Sequence, residues 1–179
     1  MNTKLIILDI DETLLYATES PLNYDCDFMA EHYYVYLRPY VKDFIAFCFQ
    51  HFSVAIWTSS NGWYAQHIVN NLFDENQILK FSWSRKRCVT KFNAEFYKYF
   101  YIKDLKKVKR LGYQLKDIIM IDDSPEKLIR NYGNLVRVSP FVGDIRDEEF
   151  LDLMVYLERL KSIPCVRSIE KRDWKNRKV

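Results

Sequence analysis

The sequence predicts an α/β fold in three layers, with a central parallel sheet of about five strands between helices. Short apolar runs rich in branched residues recur along the chain, and amphipathic segments separate them. The 179 residues contain only four glycines and no linker rich in Gly, Pro or Ser, which predicts a single domain over 1–179.

Lys4-Leu5-Ile6-Ile7-Leu8-Asp9-Ile10 is a continuous apolar run closing on acids, the pattern of a strand buried on both faces of a parallel sheet. Pro39 occupies a first-turn position before a helix over 40–51. The run 53–57 reads as the second strand and the amphipathic stretch 64–72 as the next helix. A weaker strand follows at 80–83, a strong one at 118–122 and another weak one at 135–138. Pro125 opens a short helix to residue 131. A last helix over 147–160 spaces Phe150, Leu153, Met154, Leu157 and Leu160 by three or four, with acids in its first turn. The stretch between Thr13 and the second strand is short and largely helical by pattern, so no large cap domain is expected.

Bulk properties exclude several classes of protein. A formal net charge of +3 is too small to mark a nucleic-acid binder. Cys26, Cys48, Cys88 and Cys165 are far apart and form no CxxC pair, so they read as reduced thiols, not zinc ligands or disulfides. No apolar run approaches the roughly 18 to 20 residues of a membrane span, and the N-terminus enters a strand pattern at once, without a signal peptide. A soluble intracellular protein, cytoplasmic or nuclear, is expected.

In open α/β sheets ligands bind at the carboxyl ends of the strands. Three of the strands here end in polar groups: Asp9 and Asp11, Thr58 and Ser59, Asp122 and Asp123. Gathered in one crevice, four carboxylates repel unless a cation neutralises them, and hard oxygen ligands suit Mg²⁺. Asp9 and Asp11, two apart on an extended segment, are expected to face the same way and to reach one phosphorus. Asp9 can then attack to form an aspartyl-phosphate, while Asp11 protonates the leaving oxygen and later deprotonates the hydrolytic water. The Thr58 hydroxyl, backbone amides, the Lys103 ammonium and the metal can balance charge on the phosphoryl oxygens. Taken singly these groups have plainer readings: strand-end acids and hydroxyls cap turns, and Lys103 opens a basic run that suits the solvated face of a helix. The order of the blocks carries the reading, not any one member.

That order, Asp9-Ile10-Asp11-Glu12-Thr13-Leu14, Trp57-Thr58-Ser59-Ser60, Tyr101-Ile102-Lys103-Asp104-Leu105 and Ile121-Asp122-Asp123-Ser124-Pro125, resembles the haloacid dehalogenase superfamily. More narrowly it resembles the small carboxy-terminal-domain phosphatases, which dephosphorylate Ser or Thr in proteins, notably the tail of RNA polymerase II. The resemblance implies a Rossmann-like sandwich and Mg²⁺, with Asp9 as nucleophile and Asp11 as acid and base. It implies Thr58, with Ser59, and Lys103 as phosphate binders. Asp9, the Asp11 carbonyl and Asp123 become metal ligands, and Asp122 supports the metal shell. Arg85 resembles an arginine that the family sets beside the substrate phosphate, although Lys86 and Arg87 share its stretch. Arg38-Pro39 and Leu115-Lys116-Asp117 are structural matches.

The chain also departs from the family pattern. Asp123 stands where these phosphatases often have Asn, and extra residues lie between Arg85 and Lys103 and between Lys103 and Asp122. The aromatic insert 92–101 and the aromatic segment 16–36 could line a peptide groove or pack the core, and packing is the reading adopted for most of them. The basic tail 171–178 could touch an acidic partner or nucleic acid but reads as a frayed terminus. The expected partner is a phosphorylated protein segment. A phosphatase of small metabolites or nucleic-acid ends would use the same aspartates. A non-catalytic peptide-binding module, as in the mitochondrial inner-membrane import receptor, would not need Asp9, Asp11, Lys103 and Asp123.

Overall fold

Leu5, Ile6, Ile7 and Leu8 are fully buried, as a strand covered on both faces requires. In the computed structural model, which describes residues 3–95 and 97–176, they form β1 (Leu5–Leu8). The strands that follow are β2 (Leu15–Thr18), β3 (Phe28–Ala30), β4 (Tyr33–Leu37), β5 (Ser53–Trp57) and β6 (Ser82–Trp83). Then come β7 (Val89–Asn93), β8 (Lys98–Ile102), β9 (Ile118–Asp122) and β10 (Leu135–Arg137). The helices are α1 (Val41–His51), α2 (Gly62–Leu72), α3 (Lys106–Lys109) and α4 (Glu149–Leu160).

Five strands form the central sheet in the order β10-β9-β1-β5-β6, every pair parallel. Leu5 faces Ser53 on one side and Ile118 on the other, so β1 is central and its carboxyl end meets those of β5 and β9. Alternation divides the sheet residues between two cores. Ile6 and Leu8 pack with α1, α2 and α4, where Phe44 stacks on Phe150 with ring centroids 4.2 Å apart. Burial of each such side chain stabilises the fold by roughly 1.5–3 kcal/mol. Leu5 and Ile7 pack on the other face against Leu105, Val108 and Leu128. That second layer is thin, built from the four-residue α3, a 3-10 turn over Pro125–Leu128 and the base of β8.

Three expectations are corrected. Residues between Thr13 and β5 are not mainly helical: β2, β4 and β3 form an antiparallel sheet, with Leu15 opposite Leu37 and Phe28 opposite Val35. Their aromatic and β-branched content favours a pleated, half-buried surface. The insert 92–101 does not pack as a whole, because β7 and β8 form a hairpin that stands off the sheet. Phe92, Tyr97 and Tyr99 are exposed there, while Ile102 at its base is buried; Phe96 lies outside the described residues. Nor does the tail fray as far as Asn176. Trp174 is buried against Tyr156, its Nε1 donates to the Arg137 carbonyl at 2.6 Å, and Lys175 pairs with Glu149. Arg177 and Lys178 lie outside the described residues.

Arg38 links distant segments. Its guanidinium is buried, binds Asp147 through Nε and Nη2 at 2.8 Å each, and donates from Nη1 to the Thr13 carbonyl at 3.2 Å. The Phe141 and Phe150 rings lie 5.5 and 5.2 Å from it. The loop after β1, the end of β4 and the start of α4 are thereby held together. Among the described residues no helix is long and apolar enough to cross a membrane.

Candidate active site

The chain leaves β1 in a tight turn over the carboxyl end of the sheet. The Asp9 amide donates to the Ile121 carbonyl at 3.0 Å, and the Thr13 and Leu14 amides turn back to the Ile10 carbonyl. Glu12 takes a left-handed conformation, φ 56°, uncommon for a residue with a side chain and found where surrounding structure enforces it. Asp9 is thus buried at the centre, and its Oδ1 lies 2.8 Å from the Lys103 ammonium. Lys103 is buried too, bound to Asp122 Oδ2 at 2.6 Å, and its amide donates to the Lys127 carbonyl at 2.8 Å.

Asp9, Asp122 and Asp123 offer carboxylate oxygens that all lie within 4.8 Å of one another. Asp9 Oδ1 faces the Lys103 ammonium at 2.8 Å, whereas Asp123 Oδ1 is buried without a hydrogen-bond donor among the described residues, so its lone pairs remain open to a cation. A hard divalent ion such as Mg²⁺ fits that donor set. Asp122 is tied by Lys103 and by the Ser124 amide at 3.0 Å, and Ser124 Oγ fixes Asp123 Oδ2 at 2.9 Å.

Asp11 takes different partners from Asp9, whose oxygens face Lys103 and Lys127, so the two acids do not form the matched pair expected from an extended segment. The strand ends at Leu8, and the turn swings Asp11 toward a set of hydroxyls. Ser60 Oγ and Tyr64 OH donate to its two oxygens at 2.6 and 2.7 Å, and Thr58 Oγ1 adds a longer bond at 3.3 Å. Its carboxylate is outside the three-acid cluster, consistent with the resemblance, which gives only its carbonyl to the metal.

The two aspartates therefore have opposite electrostatics. Burial acts to raise Asp9, but the ammonium groups of Lys103 and Lys127 prevail and hold it at about 2. Burial raises Asp11 above the usual carboxylate range despite the bonds from Ser60 and Tyr64. Asp122 is pushed up to about 7, first by burial and then by the charge of Asp9. One group is thus suited to attack and the other to carry a proton.

Lys127, Ser60 and Tyr64 were not foreseen as site residues. The Lys127 ammonium is 2.8 Å from Asp9 Oδ2 and 3.5 Å from both Asp122 Oδ1 and Asp123 Oδ1, so it stands where the three acids converge. Those acids outweigh the effect of its burial and keep it charged. Its signal in the sequence was its position four residues after Asp123, on the turn opened by Pro125. Tyr64 is delivered by α2, whose first turn is capped by the Asn61 side chain accepting from the Tyr64 amide at 2.9 Å. Ser59 reaches the site through its carbonyl, which accepts from Arg85 Nε at 2.6 Å. Arg85 itself lies at the exposed rim, 4.9 Å over the Tyr101 ring.

A parallel sheet whose strand ends gather acids around a lysine is the haloacid dehalogenase-like fold that the sequence predicts. Within it, the chain belongs to the NLI interacting factor-like phosphatase family, whose model matches residues 4–167. It is 31% identical over 172 residues to CTD small phosphatase-like protein 1 of Caenorhabditis elegans, across 92% of this chain and 33% of that protein. It is 31% identical over 165 residues to the human CTD small phosphatase-like protein, across 88% of this chain and 56% of that protein. The chain therefore spans from a third to just over half of these relatives. A fission yeast RNA polymerase II CTD phosphatase bound to beryllium fluoride shares the fold, with a TM-score of 0.58 at 17% identity, across 92% of this chain and 53% of that one.

Proposed function

We propose that this protein is a Mg²⁺-dependent phosphatase that hydrolyses phosphoserine or phosphothreonine in protein segments through an aspartyl-phosphate on Asp9. The observation that carries the reading is the buried, ionised Asp9, held between two ammonium groups beside Asp122 and Asp123 at the carboxyl ends of β1 and β9.

An Asp9 oxygen attacks phosphorus as the bond from phosphorus to the ester oxygen breaks, and protonated Asp11 gives its proton to that oxygen. Asp11, now a carboxylate, takes a proton from water, whose oxygen attacks phosphorus and releases Asp9. Thr58, Ser60 and Tyr64 orient Asp11 through both steps. Lys103 faces the nucleophile and balances phosphoryl charge. Arg85, with the Ser59 carbonyl fixing its Nε, binds the phosphate from the rim. Mg²⁺ held by Asp9, Asp123 and the Asp11 carbonyl, with Asp122 behind, would neutralise charge on the phosphoryl oxygens.

A protein substrate is supported by the names of the relatives and by the absence of a cap domain over the cleft among the described residues. The free thiols suit a reducing compartment, the cytoplasm or nucleus. The test is hydrolysis of an aryl phosphate with and without Mg²⁺, followed by phosphopeptides, sugar phosphates and end-phosphorylated oligonucleotides. Asp9→Asn is expected to fold and to lose turnover; full activity in that variant would falsify nucleophilic attack by Asp9. A preference for sugar phosphates or oligonucleotides would reassign the substrate.

A further inference from the structure

The net charge of +3 conceals a strong asymmetry. Residues 85–110 carry ten Lys or Arg against two acids, whereas the rest of the chain carries 17 bases against 22 acids. Eight of the ten are exposed: Arg85, Lys86, Arg87, Lys91, Lys98, Lys106, Lys109 and Arg110. Among the described residues none of the eight is ion-paired.

The same segment carries the β7–β8 hairpin, whose register sorts its side chains. Thr90 opposite Tyr101 and Phe92 opposite Tyr99 share one face, while Lys91 and Lys98 lie on the other. The Phe92 and Tyr99 rings are 5.1 Å apart, and with Tyr97 they remain 50%, 66% and 84% exposed. Exposed aromatic clusters of this kind mark contact surfaces. The aromatic face does not end in solvent. At its base a pocket of about 360 Å³, lined by Asn61, Gly62, Arg85, Lys86, Thr90 and Tyr101 among others, adjoins the Thr58-Ser59-Ser60 loop. An aromatic face with Arg85 and Lys86 at its base thus runs from the phosphate-binding rim out along the hairpin, and Lys91 and Lys98 flank it from the opposite face.

We propose that the β7–β8 hairpin is a docking arm for the acidic flank of an extended phosphorylated polypeptide whose phosphoryl group lies in the cleft. The inference rests on the phosphatase reading and names the feature by which that site would select its substrate. Exposed, unpaired cations match an acidic segment, and the rings offer flat apolar area to side chains between the acids. Polypeptide is favoured over nucleic acid by the backbone. Among the described residues β7 and β8 pair only with each other, so each has an outer edge able to bond an added strand, which a nucleic acid cannot supply.

The test uses two phosphoserine peptides, identical except that one carries Asp and Glu and the other Gln and Ala on the flanks. The parent is expected to show a lower KM for the acidic peptide at equal kcat. Lys91→Glu/Lys98→Glu is expected to shrink that KM ratio about tenfold, as a few exposed charge pairs together allow. Phe92→Ser/Tyr99→Ser is expected to weaken binding of both peptides by fluorescence anisotropy, with an unchanged circular dichroism spectrum. Equal KM values for the two peptides in the parent, or an unchanged ratio in the lysine variant, overturns the proposal. So does displacement of the acidic peptide by a single-stranded oligonucleotide at lower concentration, which would make the arm a nucleic-acid surface. Failure of the phosphatase reading is recognised separately, as a parent that turns over neither peptide nor aryl phosphate. Anisotropy with the acidic and neutral peptides would still judge the arm in that case.

Discussion

Lys127→Gln is expected to tighten Mg²⁺ binding. The Lys127 ammonium lies among the three acids, 2.8 Å from Asp9 and 3.5 Å from Asp122 and Asp123, while Lys103 binds Asp9 and Asp122 from the other side of the cluster. At an effective dielectric near 20, its attraction to Asp9 alone is about 6 kcal/mol, but dehydration of both groups cancels most of that. The Lys127 side chain is 16% exposed, so it has a route out to solvent. The net loss when a charged hydrogen bond is given up is roughly 1.5–3 kcal/mol. A divalent ion that must displace Lys127 bears that cost, so its removal should lower the Kd by about ten- to a hundredfold, at 1.4 kcal/mol per tenfold. The variant leaves three buried acids with Lys103 alone, so its metal-free form should melt below the parent. Mg²⁺ should then restore about 2.7 kcal/mol of stability at a hundred times Kd. Titration calorimetry at constant ionic strength reads the first effect and thermal melting the second. An unchanged or weaker Kd in the variant refutes the displacement argument, whatever the enzyme activity does.

Four further outcomes are expected. Tyr64→Phe removes one of the bonds that orient Asp11, so kcat should fall by about tenfold with little change in KM, a modest part of the general acid contribution. A fall confined to KM would instead assign Tyr64 to substrate binding. In buffer without divalent ions the protein should lose stability as pH rises from about 4 to about 7. Glu12, raised to about 7 by burial and by the charges of Asp11 and Asp123, and Asp122, likewise at about 7, keep protons that the unfolded chain has released. Asp9, lowered to about 2, contributes in the opposite sense, and its share is lost only as pH falls from about 4 toward 2. A melting temperature that rises as pH goes from about 4 to about 7 contradicts these assignments. Beryllium fluoride should trap a phosphoryl mimic on Asp9, and a crystal structure with the group on another residue would move the nucleophile. Gly143→Ala should destabilise by about 1–3 kcal/mol in denaturant melts. Its φ is +92°, and an added Cβ would collide with Leu22 Cδ1, whereas an unshifted midpoint would show that the loop yields freely.

Much of the sheet was legible because each strand that mattered was a run of branched residues ending in polar ones, as in Leu5–Leu8 before Asp9 and Ile118–Asp122 before Asp123. Parallel pairing then brings Asp9, Asp122 and Asp123 together without any detail of loops. The divergence of Asp11 from Asp9 was not legible, because it depends on where β1 stops and how the turn at Glu12 is wound. Lys127 was hidden for a related reason. A lysine in a charged stretch ordinarily faces water, and only the turn after Pro125 directs this one inward. The β2-β4-β3 sheet was obscured by tyrosines that suit either a half-buried strand or a helix face. The docked tail escaped notice because one tryptophan among basic residues gives no periodicity to read.

Arg38 sets an order on how this fold can come into being. Its guanidinium joins the carbonyl of Thr13 to a carboxylate 109 positions further on than Arg38 itself. Asp9 leaves the ribosome well before Asp147, but the arginine that steadies the turn after Asp9 has no counterion until residue 147 has also been made. Until then a buried cation would lack its partner, a situation that costs several kcal/mol. The turn over Asp9–Thr13 is therefore expected to settle only after α4 has begun to dock. Growing chains stopped before Asp147 should remain open to proteases around Thr13, and those extended past α4 should become resistant there.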